Sequence, residues 1–318
     1  MKNSTIPVFF TIDNAFAPYL SVALISAVKN ADPKRSYRAI ILHDDLTEDS
    51  IAALASLGSD NFEITFERID DRLSVIENKL GHTLNCSHFT LTIYYRLLIP
   101  NMFPEYDKGI YIDSDVVVEA DLGKLFDTDL GNNLIAACAD TSVLDVPQFT
   151  HYMEEAVGVS RFEYVNSGVL LMNLRELREC GFEHHFFRLL KEYSFDCVAP
   201  DQDYLNAICN GRIHYLPAAW DAMPNPNHEP IGNPCIVHYN LFYKPWRYDG
   251  VQYGDRFWKY AAFSPYHGFL FDFNRSYGDD KKERDSACLG KLIDQARVLS
   301  QSEKTFRKAA ARGERIRL

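Results

Sequence analysis

Two carboxylates one residue apart, Asp113 and Asp115, follow directly on Gly109-Ile-Tyr-Ile112, the densest apolar strand signal in the chain. Open α/β sheets bind ligands at the carboxyl ends of their strands, and a turn of the backbone there lets both side chains approach one hard cation. Asp-x-Asp alone equally describes a pair of solvated turn acids; the buried strand before it favours metal. His238 ends a second strand-like run, Cys235-Ile-Val-His238, and precedes Tyr239-Asn-Leu-Phe-Tyr-Lys244-Pro-Trp246. Read singly it is a core or turn histidine. Read with the two aspartates it completes an O,O,N donor set suited to Mn2+ or Mg2+, with diphosphate oxygens and water at the other positions. Lys244 would then neutralise the same diphosphate, its plainer reading being a solvated lysine before a rigid Pro-Trp turn.

Those residues need strands and helices to hold them. Pro7 to Ile12 reads as a short buried strand, and Tyr19 to Asn30 carries Leu20, Ala23, Leu24, Ala27 and Val28 at helical spacing. Arg38 to His43 is a second strand, Thr47 caps a helix through Leu57, and Phe62 to Ile69 is the next strand. His88 to Ile99 has a helical pattern that Pro100 and Pro104 should stop. Leu134 to Ala139 and Gly168 to Leu174 follow as strands, with Asp140 just beyond the first and Asn166 just before the second. Pro200 to Asn210 starts a helix; Ile213 to Leu216 and Cys235 to His238 are late strands. The alternation implies an α/β layered sheet. The first glycine is Gly58, so the opening strand lacks the glycine-rich phosphate turn of Rossmann and P-loop proteins.

Composition narrows the class. With 47% hydrophobic and 24% charged residues in 318, the chain can bury a core and is not disordered. Its net charge of −11 argues against nucleic acid, so a phosphate-bearing ligand needs a local device such as a metal or a placed cation. No apolar run approaches the roughly 20 residues that span a bilayer, and Ile6 to Ile12 is too short for a secretory signal. A cytoplasmic protein is expected. Cys86, Cys138, Cys180, Cys197, Cys209, Cys235 and Cys288 include no CxxC pair, which fits buried thiols better than bridges or zinc. After residue 247 the character changes: residues 252–273 are rich in aromatics, and residues 281–318 hold 11 basic against five acidic residues. This extension would either rest on the acidic inner face of a membrane or form a solvated helical tail.

Six motifs occur in one order: Thr11-Ile-Asp13-Asn14, Tyr94-Tyr-Arg96-Leu-Leu-Ile-Pro100, Tyr111-Ile-Asp-Ser-Asp115, Asn166-Ser-Gly-Val-Leu-Leu-Met-Asn173, Asp201-Gln-Asp203, and His238 with Lys244-Pro-Trp246. Together they resemble glycosyltransferase family 8, in particular bacterial members that build lipopolysaccharide and other surface glycans; glycogenin is a more distant relative. The match runs from about residue 6 to 247, dividing the chain into a catalytic domain at 1–247 and the aromatic, basic extension at 248–318. The resemblance implies a GT-A fold, a mixed central sheet flanked by helices. It also implies a metal-dependent, retaining transferase using a UDP-hexose, UDP-glucose or UDP-galactose, and a saccharide acceptor; an extension resting on the membrane would put it near a lipid-linked one. By the same resemblance Asp13 would bind the uracil end, Phe16 would stack on the base, and Arg96 would hold the nucleotide-sugar. Asp113, Asp115 and His238 would hold Mn2+ or Mg2+; Asp140, Asn166, Asp201 and Gln202 would line the sugar; and Lys244 would grip the diphosphate. Arg96 read plainly is an ion-pair partner on a helix, Asn166-Ser-Gly a turn, and Gln202 a helix-start residue.

Two positions depart from the pattern. Ala15 stands where relatives often have asparagine, and Asn240-Leu241 replaces a stretch that often contains glycine. A β-carbon there limits how closely the backbone approaches a phosphate. Gln202 carries a neutral amide and is a poor nucleophile, which favours front-face attack, with Asp201 the carboxylate to suspect in a covalent route. A nucleotidyltransferase, a glycoside hydrolase and a non-catalytic sugar-nucleotide or glycan-binding protein are the rival readings.

Overall fold

The computed structural model describes residues 5–69 and 91–318. Seven strands form the main sheet: β1 (Ile6–Thr11), β2 (Tyr37–His43), β3 (Phe62–Arg68), β4 (Gly109–Ile112), β6 (Ile135–Ala137), β7 (Val169–Met172) and β8 (Ile213–Tyr215), in the order β3-β2-β1-β4-β7-β6-β8. Pairing is parallel except around β7, which runs antiparallel to both β4 and β6. The sheet is therefore mixed. Side chains alternate across it: Phe9, Tyr111 and Leu170 face one core, while Val8, Phe10, Ile110, Ile112 and Leu171 face the other. Two short strands, β5 (Val116–Val118) and β9 (Ile236–His238), pair antiparallel as a separate ribbon, with Val116 opposite His238.

Helices cover both faces. α1 (Ala17–Asn30) is buried along most of its length, and α2 (Glu48–Ala55) starts at Thr47, whose hydroxyl accepts the Ser50 amide at 3.2 Å. α3 (Tyr95–Met102) runs through Pro100 rather than ending before it. Proline removes its own amide donor and crowds the carbonyl four residues before it, but the donors after it are intact: the Phe103 amide still reaches the Ile99 carbonyl at 3.1 Å, and the helix closes two residues later. Residues 88–90 of that expected helix, and Cys86, lie outside the described residues. α4 (Leu122–Phe126), α5 (Pro147–Tyr152), α6 (Leu174–Glu179) and α7 (Phe182–Glu192) precede α8 (Pro200–Cys209), which brings Asp201, Gln202 and Asp203 into the interior.

The C-terminal segment folds back onto the body as α9 (Gly254–Ala261), α10 (His267–Arg275), α11 (Asp279–Leu299) and α12 (Phe306–Ala311). Leu292, Ala296, Leu299, Phe306 and Ile316 share the core that holds Tyr204 and Phe186. Phe257, Tyr260 and Leu270 pack with Tyr19, Val117 and Trp246. Of the aromatic residues at 252–273, only Phe263, Phe269 and Phe271 are exposed. No described helix is long and apolar enough to cross a membrane.

Candidate active site and metal centre

Strand register brings the site together. The β4/β7 pairing sets Ile112 opposite Val169, so one step further the Asp113 amide donates to the Gly168 carbonyl at 2.8 Å. In the ribbon, Val116 faces His238, and the Tyr239 amide donates to the Asp115 carbonyl at 2.9 Å. Asp113, Asp115 and His238 thereby meet although Asp115 and His238 are 123 positions apart in the chain; ligand atoms of all three lie within 4.8 Å of one another. The imidazole Nε2 stands 3.4 Å from Asp115 Oδ1 and 3.8 Å from Asp113 Oδ2. Gly168 is what makes room: a β-carbon there would lie 2.2 Å from His238 Cε1 and 2.8 Å from Asp113 Oδ2.

Around this cluster the carboxylates outnumber the cations. Asp113, Asp115, Asp140 and Asp201 line one cavity of about 460 Å³, with Asp221 buried directly behind His238. Arg96 Nη2 pairs with Asp113 Oδ1 at 2.9 Å and its Nε with Asp201 Oδ2 at 3.1 Å, while Lys244 Nζ pairs with Asp115 Oδ2 at 2.5 Å. Arg247, also on the cavity wall, is engaged by Asp285. A divalent cation between Asp113, Asp115 and His238 would offset the remaining negative charge, and two hard carboxylate donors with one borderline imidazole form an O,O,N set suited to Mn2+ or Mg2+. The residues fit such an ion.

The fields are strong. Burial alone would push the His238 imidazole down, but Asp221 and then Asp115 outweigh it and pull it well above the usual histidine range. Burial would raise the Asp115 carboxyl, yet Lys244 and His238 drive it far below the normal carboxylate range. Asp201 is raised by burial, an effect that Arg96 partly offsets.

A second group meets beside the first. Gln202 Nε2 donates to Asp140 Oδ2 at 3.0 Å, and Asn166 Nδ2 donates to the same oxygen at 3.1 Å. Gln202 Oε1 accepts the Ser167 amide at 2.9 Å, and the Ser167 hydroxyl donates to Asp201 Oδ2 at 3.0 Å. These bonds fix the orientation of the Gln202 amide. Asp13 caps the turn Asn14–Phe16, with its Oδ1 accepting the Phe16 amide at 3.2 Å; burial, then Asp45, raises its carboxyl. Asp13, Phe16 and Lys244 line the same cavity, so all eleven residues singled out in the sequence converge on it.

Four contributors escaped the sequence reading. Ser167 and Gly168 sat inside a motif of which only Asn166 was singled out. Tyr111, inside a strand, donates its hydroxyl to Asp113 Oδ1 at 2.6 Å. Asp221 has no motif at all. At the departure noted above, Leu241 holds the left-handed conformation, φ 53°, that glycine adopts freely. The backbone bend is kept despite the side chain.

A mixed seven-stranded sheet, flanked by helices and carrying paired aspartates at the end of a central strand, defines a glycosyltransferase of the GT-A fold. The chain belongs to glycosyl transferase family 8, whose model matches residues 7–250. It is similar to a putative glycosyltransferase of Haemophilus influenzae, 27% identical over 216 residues, covering 67% of this chain and 62% of that protein. It is also similar to the lipopolysaccharide 1,2-glucosyltransferase of Escherichia coli, 24% identical, covering 77% of this chain and 74% of that one. Among solved structures, the galactosyltransferase LgtC in complex with donor and acceptor sugar analogs superposes with a TM-score of 0.68 at 27% identity, covering 83% of this chain and 99% of LgtC.

Proposed function

We propose that the chain transfers a hexose from UDP-glucose or UDP-galactose to a saccharide acceptor, with retention of anomeric configuration, in the building of lipopolysaccharide or another surface glycan. The observation that carries this reading is the meeting of Asp113, Asp115 and His238 on the wall of a cavity of about 460 Å³ that also holds Asp140, Asn166, Asp201 and Gln202. The likeness to LgtC, solved with donor and acceptor sugar analogs, supports a sugar donor and a sugar acceptor for this site. A divalent cation, Mn2+ or Mg2+, held by Asp113, Asp115 and His238 would act as a Lewis acid on the departing diphosphate.

The chain's own residues supply the rest. Asp13 and Phe16 receive the uracil end. Arg96, tied to Asp113 and Asp201, holds the carboxylates that face the nucleotide-sugar. Lys244 brings a buried positive charge to the leaving diphosphate, where low dielectric strengthens it. Asp140, Asn166, Asp201 and Gln202 hold the hexose, and the neutral amide of Gln202, with both its polar ends already engaged, stabilises the ring rather than attacking it. Front-face attack follows, with a leaving phosphate oxygen taking the acceptor proton. Residues 1–247 carry this chemistry; residues 248–318 complete the fold.

The protein is cytoplasmic in this reading, near a lipid-linked acceptor; the exposed Phe263, Phe269 and Phe271, with Lys29 over the Phe263 ring and Arg275 over the Phe271 ring, support a contact with the anionic inner surface of a membrane. A triple Phe→Ser variant that partitions onto anionic vesicles as the natural chain does would reject that contact. For the site itself, calorimetry of UDP binding with Mn2+ is the test: Asp115→Ala should abolish Mn2+-dependent binding, and retention of that binding would remove the metal assignment.

A further inference from the structure

We propose that Asp221 is a positioning residue for the metal centre: it accepts a hydrogen bond from Nδ1–H of His238 and so holds the ring with the Nε2 lone pair facing Asp113 and Asp115. The Nδ1 to Oδ1 separation is 3.0 Å, and the two side chains are 3% and 0% exposed, so no solvent competes for the bond. Backbone register sets the pair. The Ala222 amide donates to the Ile236 carbonyl at 2.9 Å, the His238 amide donates back to Ala222 at 3.0 Å, and Cys235 donates to Ala219 at 2.6 Å. The short turn Ala218–Asp221 is thus strapped alongside β9. Gly168 lies along the Cε1–Nδ1 edge of the ring, where an added β-carbon would meet both atoms.

The chemistry of the carboxylate points the same way. Asp221 Oδ2 is buried without a hydrogen-bond partner. A half-satisfied buried carboxylate is a poor stabilising device, because its desolvation is not recovered. Its use lies in what the other oxygen does. An imidazole that ligates through one nitrogen needs an acceptor at the other to fix its tautomer and raise its basicity. Of the carboxylates near the ring, Asp113 and Asp115 lie on the Nε2 side and Asp221 on the Nδ1 side.

This inference rests on the reading of Asp113, Asp115 and His238 as cation ligands, and the experiment separates the two. Free Mn2+ is followed by electron paramagnetic resonance while the full chain is titrated with Mn2+ at saturating UDP. His238→Ala should weaken Mn2+ binding at least tenfold; no change would overturn the ligand set and the inference with it. Given that loss, Asp221→Ala should weaken Mn2+ by roughly 10- to 100-fold, while Asp221→Asn, whose Oδ1 still accepts, stays within about threefold. Natural-strength binding by a folded Asp221→Ala variant would overturn the positioning role and leave the ligand set standing. A purely structural Asp221 would lower the melting temperature without separating Ala from Asn in Mn2+ affinity. Should Asp221→Ala fail to fold, nitrogen NMR of 15N-histidine in the Zn2+-loaded natural chain decides: a proton on Nδ1 of His238 is expected, and metal on Nδ1 would refute the assignment.

Discussion

Gly168→Ala is the smallest change that should disable the site. The added β-carbon would stand 2.2 Å from His238 Cε1 and 2.9 Å from His238 Nδ1. Ordinary carbon contacts lie at about 3.5–4.0 Å, so the ring must retreat by more than about 1 Å. Asp221 at 3.0 Å behind it leaves no space for that movement. Overpacking of this kind costs about 1–3 kcal/mol, and a displacement near 1 Å of a reacting group costs on the order of 100-fold in rate. The expected outcome is a folded protein, less stable by that amount, with Mn2+ affinity and UDP-sugar turnover each reduced at least tenfold. Gly290→Ala, on α11 with open space around it, is the matched control and should lose none of the three. Calorimetric melting, Mn2+ titration and UDP release read the three quantities. A double-mutant cycle sharpens the test. In a His238→Ala background most of the clash is gone, so Gly168→Ala should cost much less stability than it does alone. Full activity of Gly168→Ala, or strict additivity in that cycle, would refute the packing account.

Gln202→Ala should slow sugar transfer far more than it weakens UDP affinity; matched losses would move Gln202 into nucleotide binding. Because Leu241 sits at φ 53°, Leu241→Gly should be more stable than Leu241→Ala by about 1 kcal/mol, read by urea denaturation, and the reverse order would deny the left-handed backbone. Burial raises the Asp203 carboxyl to about 6 from an ordinary 3.8, despite hydrogen bonds from Tyr164 and Tyr152. The folded state therefore holds that proton more tightly, so this contribution to stability is full below about pH 3.8 and is lost as pH rises through 6. Asp203→Asn should then gain on the natural chain by up to about 3 kcal/mol between pH 4 and 7; a difference independent of pH would show that Asp203 is not raised.

Much of the site was legible because its signals are local. Asp113 and Asp115 follow an apolar strand, His238 ends another, and Pro200-Asp201 opens a helix, so each could be placed from its neighbours. Asp221 could not, since it lies in a four-residue turn and matters only through the pairing of Ala222 with β9. Gly168 reads as the start of a strand or, with Asn166 and Ser167, as a turn; that its missing β-carbon accommodates a ring 70 residues away depends on two strand registers at once. Helices α4, α5 and α6, at five or six residues, are too short to show a period; α7, with buried Phe182, Phe186, Leu189 and Leu190 at helical spacing, carries a clear one that the reading of the sequence passed over. The aromatic, basic extension reads from sequence as either a membrane-resting segment or a solvated helical tail. Tertiary packing divides its aromatics instead, burying Phe257 and Tyr260 and leaving three phenylalanines outside.

The central claim is that this chain moves a hexose from a UDP-sugar by means of a cation held at Asp113, Asp115 and His238. It is tested most directly by incubating the purified chain with UDP-glucose or UDP-galactose and a lipid-linked saccharide acceptor, with Mn2+ or with a chelator, and weighing the acceptor by mass spectrometry. The expected result is an acceptor heavier by one hexose, formed with Mn2+, absent with chelator, and absent with Asp115→Ala. Hexose addition that persists under chelation and in Asp115→Ala would contradict it.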